Sequence, residues 1–394
     1  MIRPALLAVR SLLDALRRGI AGLVGEDTIV VIVAEDPTGP TAARAERLLD
    51  YYSAGVGRQC PRVSKRTLAW WDVARARAVL LTDASSGGRL NRFITSIFNV
   101  DAERNSMEGW EWCRLAQHLD GRSLPPRRAE SYRRLREHVA RMQQRGLKKV
   151  YLFGTGPSLE GAKSRSFEDG YRVVCNTIVR DRSLWEHLQP DLIAAGDAIY
   201  HFGHTAHAKA FRADLHARLR ESQDSTAFVY PELYDSLVRH EFSDVEHLLI
   251  PVPESTSKEI AYSLLDRFGI ARNQNVLTVL LLPLGATLAK EIGLWGFDGR
   301  GPNDKLFWAN ASRQSYPELM DGLRAEHPAF FAHNVPKGNE GKYAATVHGD
   351  LLDRLLAEGE RAGFHYVMMH WTWTQTLQRR MPPGIVGPEE PVGA

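Results

Sequence analysis

The residues with the clearest capacity for chemistry lie in one short stretch, Lys148 to Leu159 (KKVYLFGTGPSL). An apolar run between a basic pair and a glycine predicts a buried strand. Gly154 and Gly156 permit a sharp turn and a close approach of backbone to a ligand. Pro157 suits the first position of a helix, and Ser158 adds a hydroxyl there. A strand, a glycine turn and a helix N-terminus together present N–H groups that can hold phosphate.

The same spacing also fits an ordinary strand–helix connection in an α/β domain, and the pattern alone leaves both interpretations open. It is not the dinucleotide-binding fingerprint, because the next glycine falls too late, at Gly161. It is not a P-loop either, because no Gly-Lys-Ser or Gly-Lys-Thr follows.

From residue 150 onward, short apolar runs alternate with helical patterns, which predicts an α/β fold with a mostly parallel, Rossmann-like sheet. After the first strand, the predicted strands are Tyr171–Cys175, Asp191–Ala195, Thr226–Tyr230, His247–Val252, Glu291–Phe297 and Phe364–Met369. Helices are predicted at Ser257–Phe268 and Leu351–Ala362, and Asn275–Ala289 is largely apolar.

Polar residues follow several of these strands. Asn176, Asp197 and Asp298 each come at or just after a strand end, as does the Gly154–Ser158 turn. Carboxyl ends of parallel strands meet at one edge of the sheet, where ligands bind in α/β proteins. Polar groups at four strand ends therefore predict a nucleotide site in a single crevice.

The first 145 residues predict a smaller unit. Strands are expected at Thr28–Ala34 and Ala78–Thr82, and a helix at Thr41–Tyr52. Residues 105–145 are rich in Arg, Glu, Trp and Leu and predict helices, which Pro125-Pro126 interrupts.

We divide the chain into a helix at 1–25, an accessory α/β or helical domain at 26–145, a catalytic domain at 146–380 and a disordered tail at 381–394. Residues 1–25 carry leucines and arginines at helical spacing, and charged residues interrupt the apolar run that a signal peptide requires. Two interpretations stay open: a basic helix lying on an anionic membrane surface, or a helix docked on its own domain.

Composition limits the possible classes of function. The chain has 394 residues, enough for two domains, and its 44% apolar and 25% charged content is that of a soluble globular protein. The net charge of +3 comes from interspersed charges and does not indicate nucleic acid as a partner. Three scattered cysteines show neither zinc nor disulfide spacing, and no apolar run has membrane-spanning length. We expect a cytoplasmic protein, with peripheral contact with the inner face of the membrane as the alternative for residues 1–25.

Several motifs resemble those of bacterial lipooligosaccharide sialyltransferases and related flagellin-glycosylation (motility accessory factor) proteins. Val150–Leu159 resembles their G-N-G-P-S-L motif, with Thr155 in place of the asparagine. Val174-Cys175-Asn176 resembles their R-C-N segment, and Gly285–Asp298 resembles their G-x-x-x-I-x-L-x-G-x-D segment. Tyr343–His348, directly before a predicted helix, stands where the family has its catalytic histidine.

The resemblance covers residues 148–370 in motif order, and residues 1–145 have no counterpart in it. It implies a Rossmann-like domain of the glycosyltransferase-A-like variant that binds a CMP-sugar. The family's T-S-G turn is not recognisable here, and Thr278 is the nearest candidate for it. The donor-binding residues that follow from the resemblance and from the strand ends are Gly154, Thr155, Gly156, Pro157, Ser158, Asn176, Asp197, Thr278 and Asp298.

Sugar transfer with inversion needs a base for the acceptor hydroxyl and support for the leaving phosphate. Histidine titrates near neutrality and makes a competent base, and the resemblance selects His348 among fourteen histidines. Tyr343 would donate a hydrogen bond to the departing phosphate, and Tyr316 is a competing candidate. Arg313 is a candidate for facing the phosphate or a donor carboxylate.

No Asp-x-Asp triplet occurs in the chain, and a CMP-sugar carries only one phosphate, so we expect a metal-free mechanism without any cofactor besides the donor. The rival signal is His201-x-x-His204-x-x-His207, whose spacing could bind zinc but lacks a nearby cysteine or fourth ligand.

The leading hypothesis is an inverting glycosyltransferase that moves an acidic sugar, sialic acid-like or Kdo-like, from a CMP-sugar to a glycan or glycolipid acceptor. A second hypothesis is pyrophosphoryl transfer to a pterin, because the flagellin branch also resembles archaeal pterin diphosphokinases; that reaction requires Mg²⁺. A third is a non-catalytic partner in glycan assembly, which Thr155 and the missing T-S-G turn favour.

Overall fold

The computed structural model describes residues 29–56, 62–66, 76–82, 96–255, 260–271, 275–299, 316–333 and 350–387. Its N-terminal part contains a small parallel sheet in the order β2-β1-β3-β4. These strands are β1 (Ile29–Val33), β2 (Arg62–Arg66), β3 (Ala78–Leu81) and β4 (Ile97–Asn99). The strands predicted at Thr28–Ala34 and Ala78–Thr82 are thus confirmed, and β2 and β4 were not predicted.

The larger part is organised around a seven-stranded parallel sheet. Its strands are β5 (Lys149–Phe153), β6 (Gly170–Cys175), β7 (Leu192–Ala194), β8 (Ala227–Pro231), β9 (Leu249–Val252), β12 (Glu291–Trp295) and β13 (His365–Met368). Between β9 and β12, the short strands β10 (Glu254–Ser255) and β11 (Ile270–Ala271) form a separate two-stranded parallel sheet. The prediction of an α/β fold with a parallel sheet is confirmed, and the sheet is compatible with a Rossmann-like fold.

Helices cover both faces of this sheet. The α-helices of the described residues are α1 (Pro40–Ser53), α2 (Glu108–Asp120), α3 (Leu124–Gln143), α4 (Arg182–Leu188), α5 (Ala206–Glu221), α6 (Asp235–Glu241), α7 (Leu282–Leu288), α8 (Met320–Glu326), α9 (Pro328–His333), α10 (Leu351–Arg361) and α11 (Gln375–Gln378). Shorter 3₁₀ segments include Pro157–Ser164 and Asn176–Arg180, and Leu277–Leu281 forms a π-helical turn before α7. Pro125 and Pro126 lie in the first turn of α3, where their missing N–H groups leave no hydrogen bond unmade.

The sheet separates two hydrophobic cores, because successive side chains of a strand point to opposite faces. In β5, Val150 and Leu152 belong to one core, and Tyr151 and Phe153 belong to the other. The core around Phe153 also contains side chains of α1 and α2, and the core around Val150 contains side chains of α3. Both cores therefore extend across the domain boundary that we placed near residue 145.

The strand order is β13-β12-β5-β6-β7-β8-β9. The chain runs outward from β5 to β9 on one side and then returns to add β12 and β13 on the other side. The point between β5 and β12 is therefore a topological switch point, and open α/β sheets bind ligands beyond the strand ends at such points.

The predicted helix at Ser257–Phe268 is wrong over the part that the structure describes, residues 260–268, which form turns. The backbone N–H groups of Asp266 and Arg267 donate to the side chain and the carbonyl of Ser263. Such local bonds offer the backbone an alternative to a helix. Leu264 is fully buried and its N–H donates to the Thr287 hydroxyl, at 2.8 Å, so its apolar character reflects core packing outside a helix.

The ends of the chain lie partly outside the described residues. This applies to the predicted helix at 1–25 and to residues 388–394 of the predicted tail; Gly387 lies against the Trp371 ring. Among the helices that the structure describes, none is both long enough and apolar enough to cross a membrane.

The buried carboxylate of Glu108 connects the segment 316–333 to the N-terminal helices through hydrogen bonds. Glu108 begins α2, and its Oε1 accepts hydrogen bonds from Trp112 Nε1 at 2.7 Å and Arg44 Nη1 at 3.1 Å. Its Oε2 accepts from His327 Nδ1 at 2.8 Å. Burial raises the pKa of Glu108, but the hydrogen bond from His327 and the charge of Arg44 bring this pKa below its ordinary value. The carboxylate is therefore ionised near neutral pH.

Replacing Glu108 by alanine is expected to lower the free energy of unfolding by about 3–5 kcal/mol, because buried donors lose their acceptor. Glu130→Ala is the control, since Glu130 pairs with Arg133 at the surface and its loss costs about 1 kcal/mol or less. Urea unfolding measures both. Because the folded-state pKa is lowered, ionised Glu108 stabilises the protein above pH 4.5 and loses this effect as the pH falls through the folded pKa. Equal losses in the two variants would contradict the role of Glu108.

Candidate functional site

The loops after β5 and β12 meet at the switch point. Beyond the strands, the Gly154 N–H donates to the Trp295 carbonyl at 2.7 Å and the Gly156 N–H donates to the Gly296 carbonyl at 2.9 Å. A Cβ on Gly154 would lie 2.5 Å from the Gly296 oxygen, and a Cβ on Gly156 would overlap the Asp298 carboxylate. The two glycines are thus needed for contact between the loops, and their N–H groups already have acceptors.

Asp298 occupies the N-terminus of the 3₁₀ segment Pro157–Ser164. Its Oδ1 accepts from the Ser158 N–H at 3.1 Å, and its Oδ2 accepts from the Ser158 hydroxyl at 2.9 Å. A carboxylate is an anion with oxygen acceptors, as a phosphate is, and both suit this position. The structure therefore brings together the predicted residues Gly154, Gly156, Ser158 and Asp298, with the carboxylate bound where we predicted a phosphate.

His370, directly after β13, completes this cluster. Its Nε2 lies 2.8 Å from the Ser158 hydroxyl oxygen and 2.8 Å from the Gly296 nitrogen, and its Nδ1 lies 2.6 Å from the Trp371 carbonyl oxygen. The Gly296 N–H can only donate and the carbonyl can only accept, so Nδ1 carries the proton and Nε2 is the acceptor. Burial lowers the pKa of His370, against the opposing charge of Asp298, which favours this neutral form.

The sequence analysis missed His370. It immediately follows the predicted strand Phe364–Met369, in the same position relative to its strand as the polar residues that were singled out. Applying the strand-end rule to the last strand as well would have found it.

The next strand ends carry Asn176 and Asp197. Asn176 has a left-handed backbone, with φ of 52°, and its buried Oδ1 has no hydrogen-bond partner among the described residues. Asp197 Oδ1 accepts from the N–H groups of Ile199 and Tyr200, both at 2.9 Å, so this oxygen caps the following turn. Burial raises the pKa of Asp197.

The remaining predicted residues are buried, lie in the turn itself, or fall outside the described part of the chain. Thr278 is buried in the π-helical turn, where its hydroxyl donates to the Asn275 carbonyl at 3.1 Å. Tyr316 is also buried, and its hydroxyl donates to Asp214 at 2.6 Å. Thr155 is half-buried and Pro157 is exposed in the turn itself. The predicted catalytic residues Tyr343 and His348, and the candidate Arg313, lie outside the described residues.

The three regularly spaced histidines bind different partners. His201 Nδ1 accepts from the Asp197 N–H, His204 Nε2 contacts Glu326, and His207 Nδ1 contacts the Tyr200 carbonyl. Within the described ranges, no group of three or more His, Cys, Asp or Glu side chains is placed to hold a metal ion.

The cluster of Ser158, Asp298 and His370 has one clear chemical capacity. The Ser158 hydroxyl donates its single proton to Asp298, and it can exchange this carboxylate for another anion. Among the described residues, Arg165 is a cation near this cluster: its guanidinium lies 4.9 Å from the Trp295 ring centre, and its charge lowers the pKa of His370.

Fold and site together define an α/β protein with a parallel sheet and a polar cluster at the topological switch point. The chain matches no protein-family model, and a comparison with curated proteins found no match. The resemblance to sialyltransferases therefore stays a prediction.

Proposed function

We propose that the protein is an inverting, metal-independent glycosyltransferase that moves an acidic sugar from a CMP-sugar to a surface-glycan acceptor. The observation that supports this best is the meeting of three strand-end loops, through Ser158, Asp298 and His370, at the switch point of a parallel sheet. Nucleotides bind at such points in this class of fold. The glycosyltransferase-A-like variant of the fold is part of the proposal.

The roles proposed for the described residues follow from their positions and chemistry, and those proposed for His348 and Tyr343 follow from the family resemblance. The Gly154–Ser158 turn faces the phosphate of the donor, with Asn176 beside it at the end of the adjacent strand. The Oδ1 of Asn176, which has no partner in the part of the chain that the structure describes, is suited to accept a hydrogen bond from the cytosine amino group or a ribose hydroxyl. His348 takes the proton of the acceptor hydroxyl, and Tyr343 donates a hydrogen bond to the departing phosphate.

The direct test is the release of CMP from CMP-sialic acid and from CMP-Kdo, each incubated with the protein and a panel of glycan acceptors. The proposal expects CMP release from at least one donor, with inversion at the transferred sugar. UDP-sugars serve as controls for donor class. Release of UDP instead of CMP would contradict the proposed donor.

Treatment with EDTA is expected to leave the transfer rate within about twofold, because one phosphate needs no metal bridge between two charged groups. The same assay with added Mg²⁺ is the control. Loss of activity in EDTA that Mg²⁺ restores would contradict the metal-free mechanism. The pterin pyrophosphokinase alternative expects instead a Mg²⁺-dependent transfer of pyrophosphate to a pterin. A protein that binds no cytidine nucleotide in a thermal-shift screen would favour the non-catalytic alternative.

A further inference from the structure

The loop that carries His370 continues into an indole whose polar atom is unused. Trp371 directly follows His370, and its Nε1–H is buried without a hydrogen-bond acceptor in the part of the chain that the structure describes. A buried indole N–H normally has an acceptor, and the lack of one costs free energy. Such a donor beside the proposed site indicates that a ligand oxygen binds here.

This loop is fixed against the loop after β12. The Trp373 N–H donates to the Asp298 carbonyl at 2.6 Å, and the Thr372 hydroxyl donates to the Phe297 carbonyl at 2.7 Å. The Trp373 ring meets the Trp371 ring edge-on, with the ring centres 6.0 Å apart. The Trp371 indole therefore lies on the same wall of the site as Asp298, and Trp373 borders it on one side.

A later part of the same chain covers this indole. Gly387 lies so close to it that a Cβ on Gly387 would come within 2.7 Å of the ring carbons Cε2 and Cζ2 of Trp371. Since Cε2 is bonded to Nε1, the backbone of Gly387 lies beside the unused N–H group. We call residues 382–387 the covering segment.

The covering segment is weakly attached. Just before it, the Arg380 carbonyl accepts from the Met368 N–H at 2.9 Å, and the Arg380 guanidinium pairs with Glu360 at 2.6 Å. No residue of the covering segment forms a hydrogen bond with the rest of the described chain, and Val386 is 84% exposed. Segments held by so few interactions open at low free-energy cost. A ligand can therefore displace this one.

The ring and its N–H together favour a sugar as that ligand. A pyranose presents C–H groups on one face, which the indole face attracts, and hydroxyl oxygens at its rim, which accept hydrogen bonds. A lipid chain or an apolar side chain would leave the N–H without an acceptor. A free phosphate would accept from the N–H but leave the face of the ring without a partner.

We propose that Trp371 forms a subsite for a pyranose of the acceptor glycan, and that the covering segment occupies this subsite until the sugar displaces it. No covalent bond forms or breaks in this exchange. The inference rests on the proposed function for the origin of the sugar. It adds a subsite for that sugar and a competitor for the subsite within the chain itself.

Gly387→Val in the full chain is the decisive variant, because its side chain does not fit against the indole. Trp373 borders the ring, whereas the covering segment has no hydrogen bonds to the rest of the described chain, so the segment is the part that moves away. Val386→Ala is the matched control, since the Val386 side chain lies in solvent.

The probes are the methyl glycosides of glucose, galactose and N-acetylglucosamine, each titrated into ¹⁵N-labelled protein. The indole N–H resonances of Trp371 and Trp373 report binding by NMR. Each resonance is assigned by its absence from the spectrum of the corresponding Trp→Phe variant.

We expect at least one glycoside to shift the Trp371 resonance, with a Kd at least about fivefold lower for Gly387→Val than for the wild type. A sugar that must displace the segment binds with an affinity reduced by the covered fraction. Val386→Ala should bind as the wild type does. Adding Trp371→Phe to Gly387→Val should raise the Kd about fivefold, because a hydrogen bond is lost; Trp373 is then the reporter.

Equal Kd values for the wild type and Gly387→Val, or binding that Trp371→Phe leaves unchanged, would overturn the inference. A Gly387→Val protein whose Trp371 resonance no glycoside shifts would overturn it as well. The titrations need no nucleotide, which separates them from the proposed transfer. Sugar binding that depends on the covering segment, without CMP release from any CMP-sugar, would contradict the function alone. CMP release by a protein whose Trp371 resonance no glycoside shifts would contradict the inference alone.

Discussion

Replacing Gly296 by alanine is expected to lower the free energy of unfolding by about 2–6 kcal/mol. Gly296 has φ of 79°, a left-handed conformation that costs an L-residue about 1–3 kcal/mol. An added Cβ would also overlap the carbonyl oxygen of Gly154, and overpacking of this kind costs about 1–3 kcal/mol more. Because the neighbouring atom is backbone, relief requires the β5 and β12 loops to separate. Urea unfolding measures the loss.

Two other glycines separate the contributions. Gly363 has φ of 84° with open space around it, so Gly363→Ala carries only the conformational cost. Gly322 lies within α8 with nothing near its Cβ position, and Gly322→Ala should stabilise the protein by about 0.5–1 kcal/mol. If Gly296→Ala lost no more stability than Gly363→Ala, the close contact between the two loops would be wrong.

Replacing His348 by alanine is expected to lower the transfer rate by about 10²–10⁴-fold, the usual contribution of a general base. The effect should fall on kcat and leave donor binding within about twofold, because the base acts on the acceptor hydroxyl. CMP release under saturating donor measures the first quantity, and calorimetry measures the second.

His370→Ala and His365→Ala are the matched controls for His348→Ala. His365 is exposed at the start of β13, away from the crevice, and its removal should leave the rate unchanged. His370 Nε2 accepts from the Gly296 N–H and lies 2.8 Å from the Ser158 hydroxyl oxygen, so its loss should loosen these loops and weaken donor binding. Full activity in His348→Ala together with a large loss of kcat in His370→Ala would assign the base to His370.

The strands of the large sheet were predictable because each is short, apolar and bounded by turn residues. Parallel strands are buried on both faces, so β5 stands out through its apolar run Val150–Phe153, and β6 through its apolar end Val173–Cys175. The end of β12 was predicted two residues late, at Phe297, while the strand ends at Trp295. The left-handed backbone of Gly296 ends the strand there. Because the apolar Phe297 follows this glycine, the sequence pattern predicts that the strand continues to residue 297.

The site was predictable only in part. Glycine spacing and strand-end position identify Gly154, Gly156, Ser158 and Asp298 separately. That Ser158 bonds Asp298, 140 positions away, depends on the placement of β12 beside β5, which no local pattern specifies. His370, 212 positions from Ser158, depends in the same way on β13. Local chemistry selects candidate residues, and strand order decides which of them meet.

The most direct test is a crystal structure of the protein with a non-transferable CMP-sialic acid analogue. The phosphate is expected within hydrogen-bond distance of the Ser158 N–H and hydroxyl, with the carboxyl group of Asp298 displaced and the His348 imidazole facing the anomeric carbon of the sugar. A nucleotide bound at another edge of the sheet, or a His348 ring many ångströms from the sugar, would contradict the proposed transferase.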